Sequence, residues 1–168
     1  VSPDDTELEH AVYEHLRALA GRIHSDQGAP QTLQPTALAH EAWLKLSRSG
    51  VQVQGRAHFL AVAARAMRQI LVDRARARNA AKRGGGALRT TLHGLSDGMP
   101  DTLDVLAFDR VLDDLEALDP MCAEVVLMRT YGGMTVPEAA EALGVSTSSV
   151  NRAWRFARAY LGKRLADT

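Results

Sequence analysis

The sequence predicts an all-α protein of two small helical domains joined by a flexible linker. Three observations carry that prediction. Apolar residues recur at spacings of three and four almost throughout, and Val, Ile and Thr nowhere cluster into alternating strands. Residues 84–104 are rich in glycine and poor in large apolar residues, and a stretch of about twenty such residues is too long for a loop inside one domain. The 168 residues are 46% apolar, enough for two modest cores and too apolar for a disordered chain. The domains are expected at residues 5–84 and 105–165, with the linker at 85–104.

A first helix is expected over about residues 5–24, where Leu8, Val12, Leu16, Leu19 and Ile23 form one stripe. Pro35-Thr36 opens a second, with Leu38, Ala39, Ala42, Trp43 and Leu46 on one arc. Gly50 to Gly55 reads as a polar loop. A long third helix runs from about His58 to Ala81, alanine-rich and therefore strongly helical. Phe59, Ala63, Ala66, Met67 and Ile70 share its apolar face. Arg65, Gln69 and Arg76 lie opposite, with Arg68 at the border and Asp73 on the flank. Gly84-Gly85-Gly86 ends it.

Helical spacing resumes with Val105, Phe108, Leu112, Leu115 and Leu118. Asp119-Pro120 is a cap followed by proline at the first helical position, and that next helix stops at Gly132-Gly133. Thr135 and Glu138 have capping-box spacing and begin a short helix, Val136 to Leu143. Gly144-Val145-Ser146 is a turn, and Ser146 caps a last helix reaching about Arg164. The first domain thus has three core helices and the second four.

The formal net charge is zero, which taken as a total speaks against a nucleic-acid partner. The distribution says otherwise. Residues 1–64 carry five Lys+Arg and seven Asp+Glu, a net of −2. Residues 65–94 carry eight and one, a net of +7, and residues 95–150 carry two and eleven, a net of −9. Residues 151–168 carry five and one, a net of +4. Two basic blocks flank an acidic one.

Several function classes fall away. Cys122 is the sole cysteine, so neither an internal disulfide nor a multi-cysteine metal site is expected. No apolar run approaches the roughly 20 residues of a membrane span, and no basic stretch with an apolar core opens the sequence. The six histidines are scattered, and His40-Glu41 lacks the second histidine of a zinc protease. The glycine run lacks the Lys-Ser/Thr of a phosphate loop. No catalytic residue, cofactor or metal is expected, and a cytoplasmic protein is the simplest reading.

Ala140, Gly144 and Val150 are spaced as a helix-turn-helix requires. A small residue at Ala140 lets the helices approach, Gly144 permits the left-handed turn, and Val150 faces inward. The second helix of such a unit enters the major groove. Its exposed positions would be Thr147, Ser148, Asn151, Arg152 and Arg155, residue types that suit base edges and phosphates. Phe59, Met67, Trp43 and Trp154 are expected in the core.

With these parts in order, the chain resembles a bacterial sigma factor of the extracytoplasmic-function (ECF) type, over about residues 5–165. His58–Gly86 is similar to the family's helix that recognises and melts the downstream promoter element, with Arg68, Asp73 and Arg76 on recurrent positions and Gln69 where asparagine is usual. Tyr131–Leu161 looks like the family's upstream-element helix-turn-helix. The resemblance implies docking on core RNA polymerase, with contacts to its clamp and flap subunits. The second helix would supply the clamp contact, through Ala37, Leu38, His40, Glu41, Leu44 and Lys45. It implies that the loop Ser47–Ala57 captures a flipped base, that Arg65, Arg68, Gln69, Asp73 and Arg76 meet the melting duplex, and that Ser148, Ser149, Asn151, Arg152 and Arg155 read the upstream element. An anti-sigma factor or a Ser/Thr kinase is expected as a regulator, and the free chain is expected to be a monomer. The acidic residues Asp97, Asp101, Asp104, Asp109, Asp113, Asp114, Glu116 and Asp119 would either mimic phosphates in polymerase channels or serve solubility and helix starts.

One departure from the family pattern stands out. Its docking helix usually begins with an acidic residue, and here Ala37 takes that place. Either other contacts compensate for the missing acid, or docking is weak until negative charge is added, for example by phosphorylation of Thr36 at the helix N-terminus. Two other readings remain open: a stand-alone helix-turn-helix regulator, and a sigma-like adaptor or anti-sigma partner without promoter binding. The charge pattern adds an expectation for the free chain, that the acidic block covers a basic face and weakens DNA binding.

Overall fold

The computed structural model describes residues 3–22, 35–52, 54–81, 87–92, 95 and 103–167. It is built from helices α1 (Pro3–Arg22), α2 (Pro35–Arg48) and α3 (Gly55–Ala81), then strands β1 (Arg89–Thr90) and β2 (Leu103–Asp104), and finally helices α4 (Val105–Leu118), α5 (Pro120–Thr130), α6 (Val136–Leu143) and α7 (Thr147–Ala166). The all-α expectation holds: among the described residues the two short strands are the only sheet.

α1 packs on α2 and α2 on α3. Leu16, Leu19 and Ala20 of α1, Leu38, Ala39 and Ala42 of α2, and Phe59, Ala63, Met67 and Ile70 of α3 are all buried. The spacing of three and four that marks these helices in sequence is the spacing that puts these side chains on one stripe. α3 begins at Gly55, three residues before the predicted start. Gly55 has φ +79°, a left-handed conformation that glycine adopts without the Cβ penalty.

In the second half, α4, α5 and α7 pack on one another and α6 packs on α7. Local chemistry fixes each start. Asp104 caps α4, accepting from the Leu106 and Ala107 N–H groups, and Asp119 caps α5, accepting from Cys122 N–H. Thr135 and Glu138 form the reciprocal capping box of α6. Ser146 caps α7 through Ser149 N–H. Leu118, expected on the apolar stripe of α4, lies in its last turn and is 60% exposed.

The segment between the halves is not free along its length. β1 and β2 pair antiparallel, Arg89 opposite Asp104 and Thr90 opposite Leu103, and Val105 N–H donates to the Leu88 carbonyl at 2.9 Å. Leu88, Leu92, Leu95 and Leu103 are buried. These four leucines give the segment apolar surface to bury. α3 packs against α4, α5 and α6, so a single apolar cluster runs through both halves. At the α5–α6 turn the approach is close: a Cβ on Gly132 would fall 2.6 Å from the Met128 carbonyl oxygen and 3.1 Å from Ala64 Cβ.

Candidate nucleic-acid interface

The arginine face of α3 is one of two candidate DNA surfaces. Arg65, Gln69, Asp73 and Arg76 are exposed, and Arg68, predicted at the border of the face, is 19% exposed. Phe59 and Met67 sit in the core on the opposite side, as their helical positions require. The face does not look into open solvent. Together with Asp109, Asp113, Glu116 and Glu124 it lines a cleft between α3 and the α4–α5 pair.

Charge complementarity closes much of that cleft. Arg68 Nε donates to Asp109 Oδ1 at 2.8 Å, its Nη2 meets Asp113, and its Nη1 lies 4.0 Å from Glu116. Arg65 Nη2 meets Glu124 Oε2 at 2.6 Å, and Arg76 Nη2 lies 3.9 Å from Asp109 Oδ2. At the start of α3, Arg56 pairs with Glu138 of α6 at 3.3 Å. Burial pulls the Arg68 guanidinium down, but the hydrogen bonds and charges of Asp109 and Asp113 more than offset it and raise its pKa. Beside this pair the Tyr131 phenol is fully buried without a hydrogen-bond partner, and burial pushes its pKa far up. Its ring packs against Phe108, 6.2 Å between centroids.

The helix-turn-helix of α6 and α7 is the second surface. Gly144 ends α6 at φ +65°, in the left-handed conformation that the turn requires of it. Ala140 and Val150 are buried between the helices. Thr147, Ser148, Asn151, Arg152 and Arg155 are exposed on α7, whereas Ser149 is half-buried and its hydroxyl contacts that of Ser146 in the cap. Trp154 is buried, with the Arg129 guanidinium 5.3 Å from its ring centroid. No ion pair among the described residues engages Arg152 or Arg155.

On α2, Thr36, Ala37, His40, Glu41 and Leu44 are exposed and Lys45 is half-buried. Leu38 is buried in the α1–α2 core, so it supports this surface from beneath instead of presenting itself on it. The first turn of α2 has no acidic residue. Glu41, the one carboxylate of the candidate docking set, is paired with Arg74 of α3.

The acidic block separates into distinct jobs. Asp104 and Asp119 are caps, Asp114 pairs with Arg164, and Asp109, Asp113 and Glu116 gather around Arg68. Asp97 and Asp101 lie outside the described residues, as do His24, His93 and Val53 of the candidate base-capture loop. The sequence leads to the expectation that the acidic block covers a basic face, but not to the pairings of Arg68 with Asp109 and Asp113, nor to Glu124 and Glu138 as partners. A signal is present in the spacing of Asp109, Asp113 and Glu116, which places three carboxylates on one face of α4. No cluster of described residues could hold a metal ion, and no described helix is long and apolar enough to cross a membrane.

Comparison with known proteins gives three findings. No curated protein matches the chain. A solved structure, the sigma factor RpoE in complex with the anti-sigma factor NepR from Bartonella quintana, is similar at 17% identity over 98% of each chain, with a TM-score of 0.46. A family model described as ECF sigma factor matches residues 3–167, and with arginine-faced α3, the intervening segment and the α6–α7 helix-turn-helix all inside that match, the chain belongs to the ECF sigma factor family.

Proposed function

We propose that this protein is an alternative sigma factor that joins core RNA polymerase and selects promoters with two separate DNA surfaces. Family membership supports the role in directing transcription. The observation that carries the finer reading is the pairing, in one chain, of an arginine-faced α3 with an exposed Ser148, Asn151, Arg152, Arg155 stripe on α7. α7 reads the upstream element, Arg152 and Arg155 taking guanine edges or phosphates. Arg65, Arg68, Gln69, Asp73 and Arg76 of α3 meet the downstream element as it melts. α2 docks on the polymerase clamp through Ala37, His40, Glu41, Leu44 and Lys45.

Charge on α2 sets how well it docks. Ala37 stands where the family usually has an acid, and Glu41 is already neutralised by Arg74. Thr36 is exposed in the first turn, where an added phosphate meets the positive end of the helix and restores the missing charge. A Ser/Thr kinase is the regulator that this chemistry fits, and the family supports an anti-sigma factor as another. Co-purification with core polymerase tests the assignment against a stand-alone regulator, which has no reason to bind it. Arg152→Ala should weaken promoter binding by the reconstituted holoenzyme by one to two orders of magnitude, from about 1–3 kcal/mol per base contact, and leave polymerase binding unchanged. Loss of polymerase binding in that variant, or unaltered promoter binding, contradicts these roles.

A further inference from the structure

We infer that Phe156 extends the upstream reader on α7 and recognises the C5-methyl group of a thymine in the major groove. This rests on the assignment of α7 to the upstream element, and adds to it a residue and the base that residue selects. Phe156 is 48% exposed, whereas Phe108, Tyr131 and Trp154 of the same half are buried and Tyr160 is half-buried. Ser148, Arg152, Phe156, Tyr160 and Arg164 follow one another at intervals of four, so they form one ridge along α7. The first two members belong to the candidate reading face and are exposed. The last is tied to the body of the protein: Arg164 Nη2 meets Asp114 Oδ2 of α4 at 2.7 Å, and its guanidinium lies 6.0 Å from the Tyr160 ring centroid. The Phe156 and Tyr160 rings stack, with 6.3 Å between centroids and 25° between planes.

The ridge restrains the Phe156 ring from one side. The ion pair fixes Arg164, Arg164 covers Tyr160, and Tyr160 stacks on Phe156, so the exposed ring has less rotamer freedom to lose when it is covered. What covers it follows from the surrounding charge. Arg152, Arg155 and Lys163 stand four and one residues before it and seven after, all exposed, and α7 carries no acidic residue. That setting suits a polyanion. A phenyl ring has no donor or acceptor, so it gains nothing from a phosphate and distinguishes base edges only by apolar contact. In the major groove thymine alone presents a methyl group. Four residues of helix advance about 6 Å and one base-pair step about 3.4 Å, which sets the thymine one or two base pairs from the pair that Arg152 reads.

The test uses the full chain bound to core RNA polymerase. The upstream element is first obtained by selecting duplexes from a random-sequence library with the wild-type holoenzyme. Each thymine of the selected duplex is then replaced in turn by deoxyuridine, which keeps the base pair and removes only the methyl group. Wild type is expected to lose about three- to five-fold in affinity at one position, the value of one buried methyl group. That position should lie within about two base pairs of the one at which Arg152→Ala relaxes selection. Phe156→Ala should bind the unmodified duplex more weakly and show no further loss on the same replacement, whereas Phe156→Leu, which keeps an apolar tip, should retain most of the sensitivity. Thermal melting establishes that both variants fold. A wild type indifferent to deoxyuridine, or equal losses in wild type and Phe156→Ala at every thymine, overturns the methyl reading. So does a Phe156→Ala variant that loses affinity for core polymerase but keeps the wild-type response to deoxyuridine, since the ring is then a polymerase contact. Failure of the wild-type holoenzyme to select any sequence overturns the reader itself and the role of Phe156 with it, so the two failures are distinguishable.

Discussion

The Arg68–Asp109 contact joins the two halves of the molecule, and cutting it from either side should give unequal results. Arg68→Met leaves the Asp109 carboxylate 8% exposed, with the Arg76 guanidinium 3.9 Å away and itself 66% exposed as its nearest cation. Removing one partner of a buried pair costs about 3–5 kcal/mol. Arg68 is 19% exposed and Arg76 remains nearby, so about 2–3 kcal/mol is the expected loss. Asp109→Leu is milder, about 1–2 kcal/mol, because Arg68 keeps Asp113 and has Glu116 within 4.0 Å. In a chain of this length 1 kcal/mol moves the melting temperature by about 2–4 °C, so Arg68→Met should lower it by roughly 5–10 °C. The double variant Arg68→Met, Asp109→Leu replaces the pair with apolar groups and should return to within about 1 kcal/mol of wild type. Calorimetric melting of all four proteins at neutral pH and 150 mM NaCl completes the cycle. Additive single effects, with a coupling below about 0.5 kcal/mol, would refute the contact and with it the packing of α3 on α4.

Three further outcomes are expected. Asp119→Ala removes the α5 cap and should cost about 0.5–2 kcal/mol at pH 7. Because the Cys122 N–H hydrogen bond holds the Asp119 carboxyl below its ordinary pKa, that contribution exists above the unfolded value of about 4 and fades as pH falls, so urea titrations of wild type and variant should converge in acid. Gly144→Ala should cost about 1–2 kcal/mol through backbone strain alone, since the site has open space for a Cβ but sits at φ +65°, and thermal melting with an unchanged helical spectrum would show it. Thr36→Asp and Thr36→Glu should raise affinity for core polymerase several-fold by adding charge at the N-terminus of α2, and equal binding by wild type and both variants would count against charge-controlled docking.

Much of the fold of the second half is legible because its helices carry their own start or stop signals. Asp119-Pro120, Thr135 with Glu138, Gly144 and Ser146 act through neighbours within four residues, so their chemistry can be read along the chain. The α7 stripe is legible for the same reason: helical spacing alone puts Ser148, Asn151, Arg152 and Arg155 outward and Val150 inward. Contacts between distant segments are not. Arg68 with Asp109 and Arg65 with Glu124 depend on how the two halves of the chain meet, which no local pattern specifies. The charge blocks indicate that opposite faces attract, but not that α3 is covered and α7 left open. The leucines at 88, 92, 95 and 103 fall in no predicted helix or strand, so no element marks them as core in the sequence, yet burial of four leucines anchors that stretch.

Promoter-directed initiation is the central claim, and reconstituted transcription tests it directly. Purified chain is added to core RNA polymerase on sheared genomic DNA of the source organism, and transcript 5′ ends are mapped by sequencing. The expected result is a small set of start sites that appear only with the chain present, share a common upstream element, and are lost with Arg152→Ala and Arg155→Ala together. Stable binding to core polymerase with no new start sites would contradict it.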